Sequence, residues 1–95
     1  MLEDIKKALG LNNTDFVSII NNYIEASKLD LEAAGILKEK IVDTDKLIYS
    51  AIFCFVQSKF DIDNSEMFLN SYNLQKDCLR HNTKYISWNI QKLFI

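Results

Sequence analysis

Proline is absent from the chain and glycine occurs only at Gly10 and Gly35, so helices are free to run long between a few breakers and the composition reads as all-α. No apolar run approaches the roughly 20 residues of a membrane span. The opening residues Met1-Leu2-Glu3-Asp4-Ile5-Lys6-Lys7 also lack the apolar centre of a signal peptide, so the expectation is a chain inside the cell with no membrane partner. Cysteine is scarce. Cys54 and Cys78 both fall inside apolar helical patterns, where a free thiol packs as a small hydrophobe and no disulfide is expected.

Histidine occurs once, as His81 beside Arg80 and Lys84. No cysteine or acid lies around it at metal-ligand spacing, and the dipole at a helix end accounts for it without catalysis. Arginine also occurs once, and the formal net charge is −2, which disfavours nucleic acid as a direct ligand because phosphate binding draws on clustered basic residues. There is no nucleophile elbow around Ser27, Ser50, Ser58 or Ser71, no phosphate-binding glycine loop and no zinc-protease helix motif. The run Asp61-Ile62-Asp63-Asn64-Ser65-Glu66 lacks the glycine and the distal glutamate of a calcium loop and reads as a helix cap. The expectation is therefore no enzyme, no catalytic residue, no metal and no cofactor.

What is present suits one small core: 95 residues, 48% hydrophobic and 25% charged, within the size of a single domain. A first helix from Leu2 to Leu9 stops at Gly10, and Asn12-Asn13-Thr14-Asp15 supplies cap oxygens for a second helix running to about Ala34. Its apolar stripe is Phe16, Ile19, Ile20, Tyr23, Ile24, Ala26 or Ser27, Leu31 and Ala34, with Gly35 as the residue that ends it. Asp43-Thr44-Asp45 opens a third helix, Leu47 to Val56 and beyond, that is apolar almost all round. Such a helix must be surrounded, either at the centre of the bundle or half in an interface with another chain. Tyr49, Phe53, Phe55 and Phe60 are its candidate core or subunit-interface residues. Asp63 and Glu66 have the spacing of a capping box that opens a fourth helix, with the stripe Met67, Phe68, Leu69, Tyr72, Leu74, Cys78 and Leu79.

From Ile86 the period changes. Ile86-Ser87-Trp88-Asn89-Ile90-Gln91 alternates apolar and polar, the two-residue repeat of an extended strand with no second strand in this chain to receive it. The domain division predicted is 1–81 for the helical body and 82–95 for a tail that adds as a strand to a partner chain, through Lys84, Tyr85, Ile86, Trp88, Ile90, Lys92 and Phe94. A short fifth helix and a tail packed on the bundle are the other readings. Charge divides the same way: residues 1–75 hold 7 Lys against 12 acids, a balance of −5, while residues 76–95 hold four basic side chains against Asp77, a balance of +3. The two ends face different surroundings.

The order of Leu2-Glu3-Asp4-Ile5-Lys6-Lys7-Ala8-Leu9, then Thr14-Asp15 opening a helix that closes Leu31-Glu32-Ala33-Ala34-Gly35-Ile36, resembles the tailed-phage head–tail connector family. The segment Asp45-Lys46-Leu47-Ile48-Tyr49-Ser50-Ala51-Ile52 to Val56-Gln57-Ser58-Lys59-Phe60 is similar to that family's central helix, and Asp63-Asn64-Ser65-Glu66 with Phe68-Leu69-Asn70-Ser71-Tyr72 to its turn into the last helix. The likeness spans residues 1–80, with Ser65 where many relatives carry proline. It implies a structural virion component at the head–tail junction, present in the bacterial host cytoplasm before assembly. It would bind as a ring beneath the portal protein, dodecameric by the portal's symmetry, and offer a platform to the next head-completion (stopper) or tail protein. DNA would pass through its acidic channel without sequence-specific binding. The competing reading is a small phage-encoded DNA-binding regulator that dimerises through the third helix.

Overall fold

The computed structural model of the chain describes residues 1–11 and 16–86. Among the described residues four helices follow in chain order, α1 (Leu2–Leu9), α2 (Val17–Ala33), α3 (Lys46–Phe60) and α4 (Ser65–Arg80), with a 3₁₀ turn at Lys38–Lys40 between α2 and α3. The described residues contain no strand, only an isolated antiparallel bridge between Ile36 and Ile86. The fold is a small all-α bundle, elongated to 48 × 25 × 18 Å.

Both glycines act as helix stops. Gly10 takes φ 70°, and the Gly10 and Leu11 amides donate back to the Lys7 and Lys6 carbonyls. Gly35 takes φ 107°, with the Gly35 and Ile36 amides donating to Glu32 and Leu31. Each pair is a Schellman closure, in which a left-handed residue lets two orphan carbonyls find donors. The start of α3 is equally local: the Asp45 carboxylate accepts from the Leu47 amide at 2.9 Å and the Ile48 amide at 3.3 Å, a side-chain N-cap. The cap expected for α2 from Asn12 to Asp15 lies outside the described residues.

The start of α4 differs from expectation. Its N-cap position is Asn64 rather than Asp63, with no side-chain cap bond. The turn is instead held by Asp61, which accepts from the Asn64 amide at 3.2 Å, and by the Ser65 hydroxyl, which donates to the Ser58 carbonyl at 2.7 Å. Asp61 sits immediately after α3, so it closes the turn from the upstream side and a capping box at Asp63 is not needed.

The helix α3 packs against α1, α2 and α4 and is the centre of the bundle. Ile48, Ala51, Ile52 and Val56 are buried on it, around Ile5 of α1, Ile20, Ile24 and Leu31 of α2, and Tyr72 and Leu79 of α4. Ile36, Ile41, Tyr85 and Ile86 complete the buried apolar set. Two expected stripes are too wide. On α2, Ile19 is exposed, and on α4 Met67, Leu69, Leu74 and Cys78 are exposed while Phe68, Tyr72, Gln75 and Leu79 turn inward. Those four follow the 4-3-4 spacing of one helix face, which a single partner helix fills.

Three tyrosine hydroxyls clip distant parts of the chain together. Tyr49 of α3 donates to Asp4 of α1 at 2.7 Å, Tyr72 of α4 to Asp30 of α2 at 2.5 Å, and Tyr85 to Asp45 at 2.8 Å. Tyr72 and Tyr85, whose side chains are buried, thereby find acceptors for their hydroxyls, as they must to avoid the cost of an unpaired polar group.

Candidate interaction surfaces

The residues expected at the partner face fall into two groups. Phe53, Phe55 and Phe60 are partly buried and packed on the core, and Tyr49 is half-buried beside them on α3. Tyr49 and Phe53 stack at 6.2 Å, Phe55 meets Tyr72 edge to face at 5.1 Å, and Phe60 meets Tyr23 and Phe16 edge to face at 5.7 and 6.3 Å. Lys59 lies over the Phe55 ring, its ammonium 4.9 Å from the ring centre. Along this helix, then, the aromatic rings are engaged within the subunit.

The tail residues divide at Ile86. Tyr85 and Ile86 are 1% and 3% exposed and belong to the chain's own core. The Leu37 amide donates to the Tyr85 carbonyl at 2.8 Å, so the first residue of the alternating segment pairs with backbone inside this chain, at Ile36. The sequence pattern showed the extended period but not that partner, which sits 50 positions upstream. Lys84 is exposed, with its ammonium 5.6 Å from the Tyr85 ring centre. Trp88, Ile90, Lys92 and Phe94 lie outside the described residues.

Asp45 ties this root to the bundle. Desolvation pushes its carboxyl up, but hydrogen bonds from Tyr85 and from the Ile48 and Leu47 amides, with the Lys84 charge, outweigh that and hold it below the ordinary carboxylate value. Tyr85 is pushed up by burial and by the same bond.

Sequence reasoning did not pick out the surface that the fold leaves apolar. Leu47 is 55% exposed, Leu74 67% and Ile62 90%. Leu47, Leu74, Gln75, Cys78, Leu79 and Asn82 line one groove of about 280 Å³ at the end of the hairpin where α3 starts and α4 finishes. Ile62 stands at the opposite end, on the α3–α4 turn, flanked by Asp61 and Asp63. The signal was the spacing of Tyr72 and Leu79, which places Leu74 off their face.

The basic side chains of α4 and the His81 ring that follows them are held within the subunit. Lys76 pairs with Asp30 at 2.9 Å and Arg80 with Asp77 at 2.8 Å, and the His81 ring nitrogen lies 2.8 Å from the Asp77 carbonyl. These are the basic side chains a DNA-reading helix would have presented. Among the described residues no group of three His, Cys, Asp or Glu side chains could hold a metal, and no helix is long and apolar enough to cross a membrane. Both cysteines are free thiols, Cys54 half-buried and Cys78 exposed.

Among the exposed apolar side chains of this small helical body, Leu47 with Leu74 and Ile62 lie at opposite ends of the α3–α4 hairpin, and exposed apolar patches suit contacts with other chains. Its family is specific: a model of phage connector proteins matches residues 1–91, and the chain belongs to that family. The family is structural, and its members work at the head–tail junction of the virion. No match was found among curated proteins or among solved structures.

Proposed function

We propose that this protein is the adaptor between portal and tail: copies assemble head to tail into a ring beneath the portal, twelve by the portal's symmetry, prolong the DNA channel and present a platform to the next head-completion or tail protein. The observation that carries the reading is membership of the connector family over nearly the whole chain. Its geometry agrees. A ring of head-to-tail contacts uses two different faces of each subunit, and Leu47 with Leu74 at one end and Ile62 at the other offer two.

The tail beyond Ile86 joins the portal as an added strand, with Trp88 and Ile90 as anchors, Phe94 beside them, and Lys84 and Lys92 steering the encounter. Tyr85 and Ile86 root that strand in the bundle. The acidic body, −5 over residues 1–75, lets DNA slide past because like charge suppresses phosphate contacts.

The test is capture of the portal protein from phage-infected lysate, with the full chain and a full-length Trp88→Ser/Ile90→Ser variant as parallel baits. The portal retained by the first and lost by the second is the expected result. Failure of the full chain to retain any virion protein sinks the adaptor reading, and equal retention by both baits removes the tail from it.

A further inference from the structure

The groove between Leu47 and the last turns of α4 is an apolar recess whose lining includes Asn82, four residues before the described chain ends. Leu79 forms its floor and is 3% exposed, while Leu47, Leu74 and Cys78 form walls open to water. An apolar recess of this kind marks a contact surface. Its volume of about 280 Å³ lies just under the roughly 300–1,000 Å³ of sites that enclose small ligands, and suits a few side chains.

Hydrogen bonds place the chain's exit at the rim of this groove. Asn82, a lining residue, accepts at its carbonyl from the Tyr85 amide at 2.9 Å. The Tyr85 hydroxyl donates to Asp45, whose other carboxylate oxygen caps the amide of Leu47, the lining residue across the groove. Tyr85 is thus bonded to one wall and, through one carboxylate, to the other. The nine residues that follow Ile86 lie outside the described residues. They carry Trp88, Ile90, Leu93, Phe94 and Ile95, with Lys92 the single charge. Extended, nine residues span about 30 Å, more than the 25 and 18 Å widths of the bundle, a length sufficient to reach the groove. In an extended continuation Trp88 and Ile90 fall on the same side as Ile86, and Ile86 packs inward.

We propose that in the free subunit residues 87–95 fold back into the groove of their own chain, with Trp88 as the main anchor. The groove is then a storage site: it covers the apolar tail until a partner with better contacts withdraws it. Only the tail's destination rests on the adaptor reading. The storage itself needs no portal, and its failure or success leaves portal capture to be judged separately.

Trp88 is the only tryptophan, so intrinsic fluorescence reads it directly. The full chain, held dilute and shown monomeric by light scattering, is expected to emit at short wavelength and resist acrylamide quenching. Leu74→Lys and Leu47→Lys alter side chains already more than half exposed, so the helices should persist by circular dichroism while emission moves to longer wavelength and quenching rises. A second readout does not depend on those variants: alkylation of the Cys78 thiol in the full chain should run several-fold slower than in full-length Trp88→Ser/Ile90→Ser. A solvated indole in the parent chain overturns the proposal. So do an emission that neither lysine variant moves, equal alkylation rates, or protection that appears only as the chain self-associates, which would give the groove to a second copy.

Discussion

A tyrosine hydroxyl facing an aspartate 40 to 45 positions away is what fastens this bundle at three points. Of the six residues involved, the sequence disclosed one role, that of Asp45 as the cap of α3, because a cap is a local pattern. Tyr72 read as an apolar stripe member, Tyr49 as a core or subunit-interface candidate and Tyr85 as a tail contact for a partner, since nothing local says which acid a hydroxyl will meet after folding. Tyr72 is buried and its hydroxyl shares Asp30 with the Lys76 ammonium. Tyr72→Phe is expected to lower unfolding free energy by about 1 kcal/mol, below the roughly 1.5–3 kcal/mol of a bond to a fully desolvated charge, because Asp30 keeps Lys76 and is half-exposed. Urea titration measures it. The carboxylates also set a pH dependence. Desolvation raises Asp30, but Tyr72 and Lys76 outweigh it and the net shift is downward, as at Asp45. A depressed carboxylate stabilises the fold above its unfolded value of 3.8 and loses that contribution as pH falls through the lower folded value. Tyr49 runs the other way: the Asp4 bond, with burial, lifts it from 10.0 to about 12. Its contribution is whole below pH 10 and is lost as pH rises through the folded value. Melting temperature against pH should therefore fall in acid below 3.8, and Tyr49→Phe should remove the part of the alkaline fall that lies between 10 and 12. An unchanged alkaline limb in that variant would contradict the Asp4 pairing as a source of stability.

At the scale of the element, α3 was legible as a helix that must be surrounded, at the centre of the bundle or half in an interface, and α4 only in outline. Among the described helices α3 is the central one, packed against α1, α2 and α4. The helix α4 carries apolar residues on several sides, and a short bundle has no second layer to cover them, so the face chosen by Tyr72 and Leu79 is buried and Leu74 is left outside. Ile52 and Leu74 distinguish the two situations. Ile52→Ala removes fully buried methyl groups at the centre and should cost about 2–4 kcal/mol. Leu74→Ala should cost under about 0.5 kcal/mol in the fold itself, as expected for a surface position. Any larger loss at Leu74 in the full chain, absent once Trp88 and Ile90 are serine, would report the tail lying in the groove. Gly10 offers a third contrast. Its φ of 70° disfavours a side chain, yet an added Cβ meets nothing within 4 Å, so Gly10→Ala should cost only the left-handed conformation, about 1 kcal/mol.

For the whole molecule, the question is where the folded body stops. The change of period from Ile86 and the end of the fourth helix at His81 made a boundary after His81 the natural reading, since alternation is visible in sequence while the partner of an extended segment is not. The structure carries the packed body through Ile86, by way of the Tyr85 hydroxyl on Asp45, the Tyr85 carbonyl on the Leu37 amide, and the bridge to Ile36. Tyr85 and Ile86 each bury a full side chain, and roughly 1.5–3 kcal/mol accompanies each such burial. Together that is a large share of the ~5–15 kcal/mol by which domains of any size are stable. Two truncations separate the possibilities. A chain ending at Ile86 should melt cooperatively with the helix content of the four described helices, whereas one ending at Asn82 should lose about 3–6 kcal/mol and melt far lower or not cooperatively at all. Circular dichroism on both decides it. Equal stability would mean that residues 83–86 are passengers and the body ends with α4. The expected gap means instead that the connector's tail is anchored to the centre of the bundle through Asp45, so that a pull on the tail is felt at the first turn of α3.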